Sequence, residues 1–141
     1  MALNLFSLNG QNVIITGATR GIRHQFVIVT TNSLYTGIGA ACALALAEAG
    51  ASLCLIVRPP ARDNLSIVDI ILEKCPGTRI EVVHCDLSDI EAVKGVFQKA
   101  LDVMDGQIHV LVNCAGIQRR APALQFSELD WDDVSPLSPL S

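Results

Sequence analysis

The sequence predicts an α/β fold, a doubly wound parallel sheet with helices on both faces that ends after its fourth strand. Three observations carry this. Short apolar runs of strand length alternate with longer segments of helical spacing. The first run ends in a glycine-punctuated turn, and an Ala/Leu-rich segment then opens on glycines. Finally, strand and helix alternate four strands deep, and right-handed crossovers between successive strands demand parallel pairing. The strand order expected of such a sheet is 3-2-1-4, with the ligand crevice between strands 1 and 4.

Taken in order, Phe6-Ser7-Leu8-Asn9-Gly10 is a lead-in turn, and Val13 to Thr16 is a strand of the type covered on both faces. Gly39 to Ala49 is a helix of small, strongly helix-forming residues, and Gly50 ends it as a C′ residue. Leu53 to Val57 is the second strand, and Arg58-Pro59-Pro60-Ala61-Arg62 is the loop at its carboxyl end. Asp63 or Asn64 would cap the next helix. Its apolar positions, Leu65, Val68, Ile71, Leu72 and Cys75, recur at helical spacing until Pro76-Gly77 stops them. Ile80 to Cys85 is the third strand, with Asp86 at its end. Ser88 and Glu91 read as a capping box for a helix whose stripe is Ile90, Val93, Val96, Phe97, Leu101 and Met104. Asp105-Gly106 turns into the fourth strand, Ile108 to Val112, and Asn113-Cys114-Ala115-Gly116 follows directly. Ser127 would cap a further short helix, which Pro136 and Pro139 prevent from continuing.

The strand, turn and first helix are interrupted. Gly-Ile occurs as Gly21-Ile22 and again as Gly37-Ile38, so excising 21–36, 22–37 or 23–38 leaves the same text. Without the block the chain reads Thr-Gly-Ala-Thr-Arg-Gly-Ile-Gly-Ala-Ala. Residues 23–38 therefore read as an insertion, either a surface loop or retained intron sequence. Its centre, Phe26 to Thr31, is β-branched and uncharged, so it favours an extended conformation. The domain expected is 1–134, with 135–141, a Ser-Pro-Leu repeat, as an aberrant tail.

Composition excludes several classes. Half the residues are hydrophobic and 17% are charged, which rules out compositional disorder. A net charge of −4 with scattered Lys and Arg gives no footprint for nucleic acid or an anionic membrane. The cysteines, Cys42, Cys54, Cys75, Cys85 and Cys114, include no C-x-x-C pair and read as reduced thiols in a cytoplasmic protein. His84 and His109 sit in strand patterns and suggest no metal site. No apolar run reaches membrane-spanning length, and the first residues show no signal peptide.

The motifs at successive strand ends resemble the short-chain dehydrogenase/reductase family, whose fold is Rossmann-like. Thr16-Gly17-Ala18-Thr19-Arg20-Gly21-Ile22, with Gly39, resembles its phosphate turn. Asp86-Leu87 resembles its adenine-contacting Asp, and Asn113-Cys114-Ala115-Gly116 its Asn-Asn-Ala-Gly motif. The resemblance implies that Gly17, Thr19, Arg20, Gly21, Ile22, Gly39, Asp86, Leu87, Asn113, Ala115 and Gly116 line a site for a nicotinamide dinucleotide. Arg58 joins them, because Val57 stands where an acidic residue would hold the ribose 2′-hydroxyl of NAD. Arg58 and Arg20 tilt the expected cofactor to NADP over NAD. Within the family, Phe6-Ser7-Leu8 and Ala115 to Arg120, with Phe126-Ser127 and Asp130 to Val134, are similar to the 2-deoxy-D-gluconate 3-dehydrogenases and the related 2-keto-3-deoxygluconate 5-dehydrogenases. That implies a sugar-acid substrate, whose carboxylate Arg119 and Arg120 would meet.

The same resemblance assigns no catalytic residue. The family's acid/base Tyr, the Lys four residues after it and the substrate-holding Ser fall beyond Asp130 to Val134, as does the family's oligomer interface. The only tyrosine here, Tyr35, is followed four residues on by Gly39. The expectation is an NAD(P)-binding part of an oxidoreductase, inactive alone. A non-catalytic interaction module and a gene-model product without function are the alternatives.

Overall fold

The computed structural model describes residues 6–19, 37–59, 66–117 and 119–134. Four strands, β1 (Asn12–Thr16), β2 (Ser52–Val57), β3 (Ile80–His84) and β4 (Val110–Asn113), form one sheet in the order β3-β2-β1-β4. All three pairings are parallel, as the sequence predicts. Helices α1 (Ile38–Glu48), α2 (Ser66–Lys74) and α3 (Ile90–Val103) make the crossovers, and a 3-10 turn (Ala123–Gln125) precedes α4 (Glu128–Val134).

Alternation of side chains along the central strands divides the core in two. Val13, Ile15, Leu53, Leu55 and Val57 point to one face, where Ala40, Ala43, Leu44 and Ala47 of α1 and Ile67 and Ile71 of α2 cover them. Ile14, Cys54 and Ile56 point to the other, where they meet Val83, Cys85, Ala100 and Met104. The alanines of α1 let that helix lie close on the sheet. It ends at Ala49, whose N–H donates to the Ala45 carbonyl, and Gly50 follows with φ 95° as the predicted C′ residue, donating to the Ala47 carbonyl.

The lower end of the sheet is tied by side chains. Asn12 donates its backbone N–H to His109 Nδ1 at 2.9 Å and its side-chain amide to the carbonyls of Met104 and Gln107. His109 is thus structural. Arg79 reaches across from the start of β3 to Asp105 in the turn before β4, and also to the Val103 carbonyl.

The structure corrects several sequence expectations. The cap of α3 is Asp89, not Ser88: Asp89 Oδ1 accepts from the N–H groups of Glu91 and Ala92. Ser88 is turned the other way, its hydroxyl donating to Asp86 Oδ1 at 2.7 Å. The stripe of α3 is only half covered. Ala100 and Met104 are buried, but Ile90 is 72% and Phe97 53% exposed. In α2, Ile71 is buried and Val68 and Cys75 pack partly buried beside it as predicted, whereas Ile67, outside the predicted stripe, is buried and Leu72 is 43% exposed. The fourth strand begins at Val110, two residues later than expected, and alternates half-buried and exposed positions. The expected caps Asp63 and Asn64, the tail 135–141 and all of the 23–38 block except Gly37 and Ile38 lie outside the described residues. Those two residues are the N-cap and first residue of α1.

Candidate functional site

The carboxyl ends of β1 and β4 and the start of α1 come together by close backbone approach, at the place where the sequence predicts the ligand crevice. Gly17 follows β1 with φ 73°. A Cβ on it would lie 2.6 Å from the Ala115 nitrogen and 2.7 Å from the Cys114 carbonyl carbon, closer than a side chain tolerates. A Cβ on Gly39 would lie 2.5 Å from the Gly17 carbonyl oxygen. Glycine at both positions therefore lets the first turn of α1, the turn after β1 and the segment after β4 stack directly on one another.

Thr16 fixes the third of these segments. Its hydroxyl oxygen accepts from the N–H of Cys114 at 3.2 Å and of Ala115 at 3.0 Å. This nearly buried threonine bridges β1 to the loop after β4. It was not among the expected site residues, although a hydroxyl ending a fully apolar strand was the signal available.

The start of α1 is left ready for an anion. Its N-cap, Gly37, is extended (φ −177°) and supplies no side-chain cap, and the first turn holds no acidic residue. Backbone N–H groups and the positive end of the helix dipole are thus met by no carboxylate from the N-cap or the first turn. A glycine cradle and an uncapped helix start fit the pyrophosphate of a dinucleotide.

At the outer rim, the register Val57↔His84 brings the residues after β2 and β3 side by side. Arg58 Nε lies 3.3 Å from Asp86 Oδ1 in an ion pair, and Ser88 donates to the same oxygen through both its N–H and its hydroxyl. The structure thus joins two expected site residues that the sequence treated separately. Leu87 beside them is partly exposed. Asn113 ends β4 opposite Thr16, with Ala115 and Gly116 following on the exposed rim. Thr19 is half-buried past the turn, whereas Arg20, Gly21 and Ile22 lie outside the described residues.

Cys42 of α1 and Cys114 also lie near one another here: burial, with Cys42 alongside, pushes the Cys114 thiol up from its ordinary value. Arg119, expected to meet a substrate carboxylate, lies 3.5 Å from Asp130. Ser127 caps α4 as predicted, accepting from the Asp130 N–H at 3.0 Å. Among the described residues there is no cluster of His, Cys, Asp and Glu able to hold a metal, and no helix long and apolar enough to cross a membrane.

Comparison with known proteins places this geometry. The sequence model of the short chain dehydrogenase family matches residues 25–138. The chain is 33% identical over 138 residues to a 2-dehydro-3-deoxy-D-gluconate 5-dehydrogenase of Dickeya dadantii, covering 98% of this chain and 46% of that protein. It therefore spans about half the length of the curated relatives it matches. A dehydrogenase/reductase from Sinorhizobium meliloti superposes with a TM-score of 0.71 at 29% identity, over 93% of this chain and 44% of that one. A short chain dehydrogenase from Burkholderia cenocepacia, solved in complex with NADP, superposes with a TM-score of 0.67 at 26% identity, over 91% and 44%.

Proposed function

The chain belongs to the short-chain dehydrogenase family, and from that premise we propose that it binds a nicotinamide dinucleotide in the crevice between β1 and β4. The observation that carries this reading is the stack of Gly39 on Gly17 on Cys114, which keeps side chains out of the path of a pyrophosphate beside an uncapped helix start. Gly17, Thr19 and Gly39, with Arg20, Gly21 and Ile22, form the phosphate side. Asp86 and Leu87 flank the adenine, and Asn113, Ala115 and Gly116 line the nicotinamide half. Arg58 stands at the ribose 2′ position with no acidic residue at Val57, which favours NADP over NAD. The dinucleotide, once bound, supplies hydride exchange with a carbinol carbon.

The residues of this chain bind and orient. Thr16 holds the loop after β4 against β1, so that the nicotinamide end of the crevice keeps its shape. No proton transfer falls to this chain, since its one tyrosine, Tyr35, has no lysine four residues on. The reading is of an NAD(P)-binding half of a sugar-acid oxidoreductase, 1–134, with 23–38 inserted and 135–141 outside the domain. The sugar acid is taken from the Dickeya relative and applies to a protein that includes the second half. Fluorescence titration with NADPH and with NADH tests it. Saturable binding below millimolar, tighter for NADPH, is expected; none by either would remove it.

The exposure of Leu111 on β4, an edge strand among the described residues, and of Phe97 on α3 (55% and 53%) favours one other reading, a non-catalytic module that docks on a longer dehydrogenase. Co-expression with a full-length relative distinguishes it: a stable complex supports docking, and separate elution on gel filtration rejects it.

A further inference from the structure

We infer that Cys42 and Cys114 form a reversible disulfide that joins the two walls of the crevice and weakens its grip on a dinucleotide. The second clause rests on the reading of the crevice given above; the first stands on the cysteines alone.

The placement follows from the backbone stack. Cys42 lies three residues after Gly39 on α1, so the two share a helix face. Gly39 meets Gly17, and Gly17 meets Cys114, each at a separation that would not admit a Cβ. The face of α1 that carries Cys42 is therefore turned to the loop that carries Cys114, and Cys42 is the neighbour that, after burial, raises the Cys114 thiol. Neither is fully buried, so a small oxidant reaches them. The contrast within the chain is clear: Cys54 and Cys85 are buried on the opposite face of the sheet, and Cys75 follows α2.

The oxidant is a low-molecular-weight disulfide. One cysteine loses its proton, and its thiolate attacks a sulfur of that disulfide. The old sulfur–sulfur bond breaks and one small thiolate leaves, which takes up a proton. The second cysteine then attacks the mixed disulfide and expels the other small thiol. Two protein thiols are oxidised and one small disulfide is reduced to two thiols. Burial holds Cys114 as the thiol at neutral pH, so exchange quickens as pH rises.

A sulfur–sulfur bond of about 2.05 Å is far shorter than a contact between thiols, so bridging draws α1 and the Cys114 loop together. Gly39 and Gly17 are already in backbone contact between them. The turn that would carry the pyrophosphate must then shift.

The test is to incubate the whole chain with oxidised glutathione, block remaining thiols and map the peptides, with NADPH titrated before and after. The expected result is a Cys42–Cys114 peptide with Cys54 and Cys85 still alkylated, and an NADPH Kd raised roughly tenfold and restored by dithiothreitol. Cys42→Ser abolishes both changes; Cys114→Ser serves if that variant does not fold. No linked peptide, or equal linkage of Cys42 to Cys75, overturns the disulfide. Linkage with an unchanged Kd overturns its coupling to the crevice. Linkage in a chain that binds no NADPH even when reduced leaves the disulfide standing and removes the reading of the crevice.

Discussion

Arg58 and Asp86, 28 residues apart in sequence, meet at 3.3 Å across the carboxyl ends of β2 and β3. Both side chains are about two-fifths exposed (39% and 41%), so the pair itself adds little stability. Its consequence is for selectivity. If the dinucleotide binds as proposed, a 2′-phosphate has to compete with the Asp86 carboxylate for the Arg58 guanidinium, whereas a 2′-hydroxyl does not. Asp86→Asn is expected to raise the preference for NADPH over NADH, and Arg58→Ala to lower NADPH affinity roughly tenfold, about 1.4 kcal/mol, while sparing NADH. Parallel titrations of both variants check this; equal loss for both dinucleotides in Arg58→Ala would show that Arg58 does not meet the phosphate.

Gly39→Ala places a Cβ 2.5 Å from the Gly17 carbonyl oxygen. The obstructing atom is backbone, so α1 must move off the turn. A loss of about 1–3 kcal/mol is expected from urea denaturation, together with loss of dinucleotide binding. A variant of unchanged stability would mean that the stack yields easily.

Asp89 alone caps α3 through its side chain, accepting from two N–H groups. Asp89→Ala is expected to cost about 1 kcal/mol, whereas Ser88→Ala, which removes only a hydroxyl donated to Asp86, should cost less. Urea midpoints of the two variants order the effects.

Alkaline stability should depend on Cys54. Burial, with a smaller contribution from Glu81, pushes its thiol from 9.0 up to about 11. The folded state therefore holds this proton more tightly than the unfolded chain does. The stabilisation is complete below the unfolded value of 9.0 and is lost as pH climbs toward about 11. Urea midpoints of the native chain should fall more steeply across that window than those of Cys54→Val. Native-state alkylation at neutral pH should also leave Cys54 unlabelled longest.

The strands, helices and glycine turn were legible because they rest on local signals, apolar runs, helical spacing and glycines where backbones must touch, and the strand order followed from the doubly wound fold that their alternation implies. The α3 stripe was legible as a periodicity, but a period defines a face and not what covers it, so Ile90 and Phe97 stand exposed. Ser88 and Asp89 are both good capping residues, and the choice was made by Asp86, which takes the Ser88 hydroxyl. The Arg58–Asp86 pair and the nearness of Cys42 to Cys114 required strand register and helix rotation. Spacing along the chain encodes neither.

Hydrogen–deuterium exchange of the 141-residue chain with and without NADPH tests the central claim most directly. Slowed exchange confined to 16–19, 37–41, 57–58, 86–87 and 113–116 is the predicted result. Protection absent from the turn after β1 and the first turn of α1, or confined to another face of the sheet, would contradict it.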